Sequence, residues 1–277
     1  MNFNFFLFIG FISVLFISCN PGNDELGPAI PKENVVNYFP LSKNNSWKYE
    51  YEEEILNHYI KNNIQTITIT DSIKEYDTPS FLFSSDIKPE DQGVITSLLT
   101  GGTINKVESK LVFNGDFVFR FPVLGDSIII PLENALILHQ NRKSGDLLSS
   151  FSDQNHLKIE LENNEIPVEI EYDLKFFQSD SFKNSQEIFA DFEDVISSRL
   201  VLSLSGKSFT NDTSIEVIPT QEVLTTSIYF AKDIGIFYVH SEYNLQIKNL
   251  EIWDLPDSYY KGIGQQQLKA LDVHLKK

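Results

Sequence analysis

Cys19 is the only thiol in a chain of 277 residues, and a thiolate is the most reactive nucleophile a side chain offers. It follows Phe16, Ile17 and Ser18 at the end of an apolar run. The small Ser18 leaves the backbone beside the thiol open to a modifying enzyme. A lone cysteine forms no disulfide framework and excludes a Cys-rich zinc site. The five histidines, His58, His139, His156, His240 and His274, lack the His-x-x-x-His or His-Glu-x-x-His spacing that sets two imidazoles on one helix face. There is no Gly-x-Ser-x-Gly elbow and no Gly-x-x-x-x-Gly-Lys phosphate cradle, and Gly262-Ile263-Gly264 reads as a turn. Carboxylates such as Glu160 and Glu162, or Asp191, Glu193 and Asp194, could stand about 5–10 Å apart as glycosidase chemistry requires. On an extended strand, however, Glu160 and Glu162 share a solvated face. The chain is therefore read as non-enzymatic, with no metal site and no cofactor.

The elements that place Cys19 come next. Phe3 to Ile17 is apolar over about fifteen positions, short of the roughly 20 a spanning helix needs and suited to an export signal. An apolar residue three places before, a small residue just before, then cysteine resembles the lipobox of bacterial lipoproteins. That resemblance implies a diacylglyceryl thioether on Cys19, cleavage before it and acylation of the new amine, palmitate included. Residues 1–18 become a signal peptide, 19–36 a lipid anchor and flexible tether, and 37–277 a single β-rich domain. Each buried CH2 is worth about 0.8 kcal/mol, so three acyl chains make attachment to an outer membrane permanent. Two departures stand out. No Lys or Arg precedes the apolar run, which leaves the start codon open, and Phe16 replaces the usual Leu. Pro21, Gly22, Gly27, Pro28 and Pro31 break any regular structure in the tether. Asp24 and Glu25 resemble the acidic export signals of Bacteroidota surface lipoproteins, so both the periplasmic face and the cell surface stay open.

The net charge of −17 sits entirely after residue 18. It argues against a nucleic-acid partner, which needs clustered Lys and Arg, and against electrostatic docking on anionic lipid. An acidic, soluble exterior and a monomer are expected.

Period-2 alternation dominates the remainder. Trp47, Tyr49 and Tyr51 share one strand face, opposite Lys48, Glu50 and Glu52; Gln65, Ile67, Ile69 and Asp71 oppose Ile64, Thr66, Thr68 and Thr70. Further strands are expected at Lys106–Phe113, Phe117–Phe121, Ser127–Pro131, His156–Glu162, Pro167–Phe177, Val195–Ser205, Ser214–Ile218, Leu224–Ala231, Ile234–Tyr243 and Leu245–Trp253. Turns are expected at Asn114-Gly115-Asp116, Gly125-Asp126, Ser144-Gly145-Asp146, Asn163-Asn164 and Ser205-Gly206-Lys207. One helix is expected from Pro89 to Leu99, ahead of Gly101. Gln265–Leu271 forms a second helix or the lead-in to a last strand ending at His274. No internal repeat divides 37–277. Gly235 marks a bulge or a close backbone approach.

Tyr38-Phe39-Pro40-Leu41 with Trp47-Lys48-Tyr49 resembles the "YFPL…W.Y" start of uncharacterised Bacteroidota lipoproteins. Tyr229 to Ile236 is similar to their "YYAKGVGLV" segment, and Phe189 to Ile196 to a "GTFEDVI"-like stretch, from which Ala190 and Asp191 depart. The resemblance implies one large, strongly curved antiparallel sheet, an open or half barrel like LolA and LolB, with one or two short helices. A β-sandwich is the alternative. It carries no catalytic residues. The concave face would take a hydrophobic or extended ligand, a lipid or a protein segment, with Trp47 and Tyr49 in its lining; Trp47 also reads as a core anchor. The alternative is an interaction module presenting its acidic surface to a protein or glycan. Asp71-Ser72-Ile73 and Asp126-Ser127-Ile128 resemble Bacteroidota O-glycosylation sites at Ser72 and Ser127.

Overall fold

A computed structural model of the protein describes residues 35–55, 59–75, 78–121, 127–161, 164–182, 192, 194–210, 213–254 and 261–276. Cys19 and the proposed signal and tether up to 34 lie outside these residues, as do Gly125-Asp126, Asn163 and Phe189 to Asp191.

The strands are β1 (Ser46–Ile55), β2 (Tyr59–Glu75), β3 (Thr78–Ser85), β4 (Gly102–Val107), β5 (Lys110–Arg120) and β6 (Ser127–His139). They continue as β7 (Leu147–Leu161), β8 (Asn164–Phe182), β9 (Val195–Thr210), β10 (Thr213–Ala231), β11 (Gly235–Gln246) and β12 (Lys261–His274). Nearly every strand pairs antiparallel with the next in sequence. β1 pairs with β12 as well, from Ser46 opposite His274 to Ile55 opposite Gly264. All twelve form one sheet whose edges are β6 and β7. Those edges meet near their shared loop, where the Leu136 N–H of β6 donates to Ser149 Oγ of β7 at 2.8 Å and the His139 N–H reaches Gln178 Oε1 of β8 at 3.1 Å. The result is a curved sheet nearly closed into a barrel, as the alternation and the family resemblance led one to expect, and not a sandwich.

Alternation explains the filling. Trp47, Tyr49 and Tyr51 are each about 1% exposed and point inward with Ile67 and Ile69 of β2. Leu174 and Phe176 of β8 and Leu200 and Leu202 of β9 complete the same core. The α-helix α1 (Val94–Thr100) is buried from Val94 to Leu99 and packs on the inner face of the sheet. The Thr96 hydroxyl donates to Gln65 Oε1 at 3.0 Å, and the Val94 N–H to Gln266 Oε1 at 3.1 Å. The Pro89-Glu90-Asp91 signal does open this region, as a separate 3-10 turn before the helix.

Of the two readings of Gln265–Leu271, the last strand ending at His274 holds: the segment is part of β12, with Gln266 and Leu268 facing inward and Lys269 and Leu271 facing solvent. Several other expectations are corrected. Asn114-Gly115-Asp116 is no turn. β5 runs through it with a bulge, and Gly115 takes φ +151°. Lys106–Phe113 is instead two strands, turning at Glu108, whose φ is +53°. Ser205-Gly206-Lys207 lies inside β9; a Cβ on Gly206 would stand 3.0 Å from Val168 Cγ1 and 3.2 Å from Ile218, so this glycine provides space. The stretch Leu245–Trp253 leaves the sheet after Gln246 and ends in a 3-10 turn at Leu250–Trp253.

Candidate functional site

In an antiparallel meander, successive connections alternate between the two ends of the barrel. One end collects the β1–β2 connection, the 3-10 turn Pro89–Asp91 and the start of α1. Here a cleft of about 220 Å³ opens beside the helix. Its floor is Tyr51, Val94, Phe119, Phe121 and Tyr243, and its rim includes Glu53, Lys61, Asp91 and Gln266.

The floor follows from strand parity. Tyr51 continues the inward series of β1, Phe119 and Phe121 that of β5, and Tyr243 that of β11. Phe119 stacks on Tyr243 with centroids 6.3 Å apart and meets Phe121 edge-on at 5.1 Å. Such offset and edge contacts suit the ring quadrupoles. At the rim, Gln266 Nε2 donates to Glu53 Oε1 at 2.6 Å. Lys61 pairs with Asp91, and the hydrogen bond from Lys61 holds the Asp91 carboxyl below the usual range. Burial raises the Tyr243 hydroxyl well above its ordinary value, helped by Tyr51 and Glu53. The Tyr243 phenol is therefore neutral at physiological pH.

Chemically, this is an apolar, aromatic floor under a rim of carboxylates, amides, Arg120 and the ion-paired Lys61. It can bury one end of a ligand and hydrogen-bond the part that emerges. Its volume is below the roughly 300–1,000 Å³ of sites that engulf a drug-sized molecule.

Trp47 and Tyr49 stand elsewhere. The Trp47 indole N–H donates to the Ile234 carbonyl at 2.6 Å, and the Tyr49 hydroxyl to that of Ile236 at 2.8 Å. Burial pushes the Tyr49 pKa far up. Both tie β1 to the start of β11, and neither lines the cleft. Ser72 is exposed on β2, just past a bulge between Ile69 and Asp71. Ser127 is half-buried at the start of β6. Cys19 lies outside the described residues. His156 and His240 sit against single carboxylates, Glu169 at 3.5 Å and Glu242 at 3.3 Å. Among the described residues no three His, Cys, Asp or Glu converge as metal ligands. The rim was within reach of the sequence pattern, since Glu53 and Lys61 share parity with Trp47 and Gln65. Nothing in the pattern foretold that Phe119, Tyr243 and α1 would meet there.

No family model matches the chain. No curated protein matches it either. Two solved structures overlap it: a predicted lipoprotein of Parabacteroides distasonis, at 10% identity and TM-score 0.33 over 87% of this chain and 100% of that one. The other is a LolA superfamily protein of Nitrosomonas europaea, at 8% identity and TM-score 0.23 over 90% and 95%. At these scores neither likeness informs the function, which rests on the chain's own residues.

Proposed function

We propose that this chain is a lipid-anchored, extracytoplasmic binding protein of the outer membrane that catalyses no reaction. Its ligand is extended or amphipathic and inserts one apolar end between α1 and the strand ends. The observation that carries this reading is the cleft with its floor of Tyr51, Phe119, Phe121 and Tyr243. The inner face of the sheet is otherwise occupied by side chains and by α1, so an occupant is confined to the mouth. The anchor rests on Cys19 and the apolar run before it.

An environment-sensitive apolar fluorophore tests the site. It should bind the full chain saturably, and Ile55→Trp, which fills the cleft from its edge, should abolish the signal without changing the melting temperature. Equal binding by both proteins would remove the cleft from the account.

A second reading has its own observation. Ile60, Ile64 and Ile263 are 70%, 54% and 57% exposed on the outer face of β2 and β12, flanking Glu50, Glu52 and Glu54 of β1. Apolar side chains this exposed beside a row of acids suit a protein partner. Cross-linking through that face in intact envelopes, with the cleft variant unaffected, would favour this reading.

A further inference from the structure

Strand β5 outruns the neighbour it follows. β4 begins at Gly102, opposite Gly115, so β5 continues from Asp116 to Arg120 with β6 on one side and no strand on the other. The chain that carries α1 stands on that open side and meets the β5 backbone at Gly101, where the Asp116 N–H donates to the Gly101 carbonyl at 3.0 Å. That bond sets the phase of the rest. In an extended strand the N–H and C=O of one residue point to one side and those of the next residue to the other. Asp116 is turned away from β6, since a Cβ on Gly101 would stand 2.2 Å from the Asp116 carbonyl oxygen. The register with β6 is unbroken from Gly115 opposite Leu132 to Arg120 opposite Ser127. Phe117 and Phe119 therefore spend their backbone groups on β6, while Val118 and Arg120 turn theirs to the open side.

The open side is the wall of the cleft. Val118 and Arg120 line it together with Phe119 and Phe121, and no described residue hydrogen-bonds to their backbone there. Two residues apart on a strand, these N–H and C=O pairs repeat at about 6.5–7 Å. An extended peptide matches that spacing with its own amides, whereas an alkyl chain offers nothing to pair. Unpaired edge groups of this kind are a template for another strand. The side chains of an added strand would alternate as those of β5 do, so the residue opposite Phe119 would point onto the aromatic floor of Tyr51, Phe121 and Tyr243. We infer that the cleft takes an extended polypeptide segment, added as a short strand along the free edge of β5, with its backbone on Val118 and Arg120 and an apolar side chain on the floor. This names the ligand class of the cleft proposed above and rests on that reading. Glu53, Glu90 and Asp91 line the cleft against Lys61 and Arg120, so the backbone and the apolar side chain, more than charge, select the segment.

The test uses the full chain and displacement of the apolar fluorophore from the cleft. The probe is an uncharged, capped pentapeptide with a central phenylalanine among threonines, made in two further forms that are N-methylated on alternate amides in opposite phase. One phase blocks the amides that would pair with β5 and the other blocks those facing solvent. The two methylated peptides should therefore differ in affinity by about tenfold or more, and the better one should slow amide hydrogen exchange at Val118 and Arg120. Val118→Pro removes one donor without touching the β6 ladder and should weaken the unmethylated peptide about threefold or more. Equal affinity of the two methylated forms, or displacement by an uncharged alkyl glycoside and by no peptide, would overturn strand addition and leave the cleft standing. A native chain that fails to bind the fluorophore would overturn the cleft and strand addition with it.

Discussion

Gln266 and Glu53 are joined at 2.6 Å across 213 positions of sequence, and the other end of the Gln266 amide accepts the first N–H of α1. One side chain of the last strand therefore fixes both the rim of the cleft and the start of the helix that walls it. The first N–H groups of a helix have no partner within it, so this bond satisfies one of them.

Gln266→Leu should leave the Val94 N–H unpaired and buried, at a cost of about 1–3 kcal/mol. Urea unfolding should show the loss as a lower midpoint at unchanged slope. Amides of α1 should exchange faster than those of β1, because the damage is local to the helix.

Trp47→Phe keeps most of the ring volume but strips the donor from the Ile234 carbonyl. The expected loss is again about 1–3 kcal/mol. Trp47→Ala adds a cavity and should cost about 3–5 kcal/mol. Neither substitution should alter fluorophore binding at the cleft in protein that remains folded.

Gly235 has φ +103°, and a Cβ there would stand 2.9 Å from both Phe39 Cδ2 and Trp47 Nε1. Gly235→Ala combines backbone strain with a clash and should cost about 1–3 kcal/mol or more, measured by thermal unfolding. The glycine is thus a close-approach site beside the bulge at Phe237, where the register between β10 and β11 shifts after Tyr229.

Tyr49 and Tyr243 titrate above their ordinary value because both are buried. In the unfolded chain they ionise near pH 10. Their contribution is complete below that pH and declines as the pH rises from there toward the folded values. Tyr49→Phe should lower stability at pH 7 by about 0.5–1.5 kcal/mol through its lost hydrogen bond, yet flatten the decline between about pH 10 and 11. Denaturant midpoints across that range check both signs.

Cys19→Ala should take up no palmitate and accumulate as the larger precursor, held at the inner membrane by its uncleaved apolar run instead of reaching the outer membrane. Fractionation with detection of labelled palmitate reads this directly.

Where burial is one-sided, the sequence was sufficient. The alternation of β1 and β2 assigns inward and outward faces correctly from Trp47 to Ile69, and the bulge beyond Ile69 is what turns Asp71 outward. Length was harder to read. β3 went unrecognised because Phe81-Leu82-Phe83 does not alternate, and β5, β6 and β9 run through glycines, a proline and an Asn that usually stop strands. Gly115 and Gly206 show why. A glycine admits either a turn or a close approach, and only the neighbouring strand decides which. The cleft was legible only in fragments, since its floor draws on β1, β5, β11 and α1, and long-range register is invisible to a local pattern. Tyr49 illustrates the limit: an aromatic residue on an inward face suits a ligand or a carbonyl equally until the partner strand is placed.

The most direct measurement is native mass spectrometry of the full-length protein extracted from its own envelope in mild detergent. A stoichiometric extra mass beyond the covalent acyl chains, present in the native chain and absent from Ile55→Trp, is the predicted result. Native protein carrying no such mass, or both proteins carrying it equally, would contradict binding at the cleft.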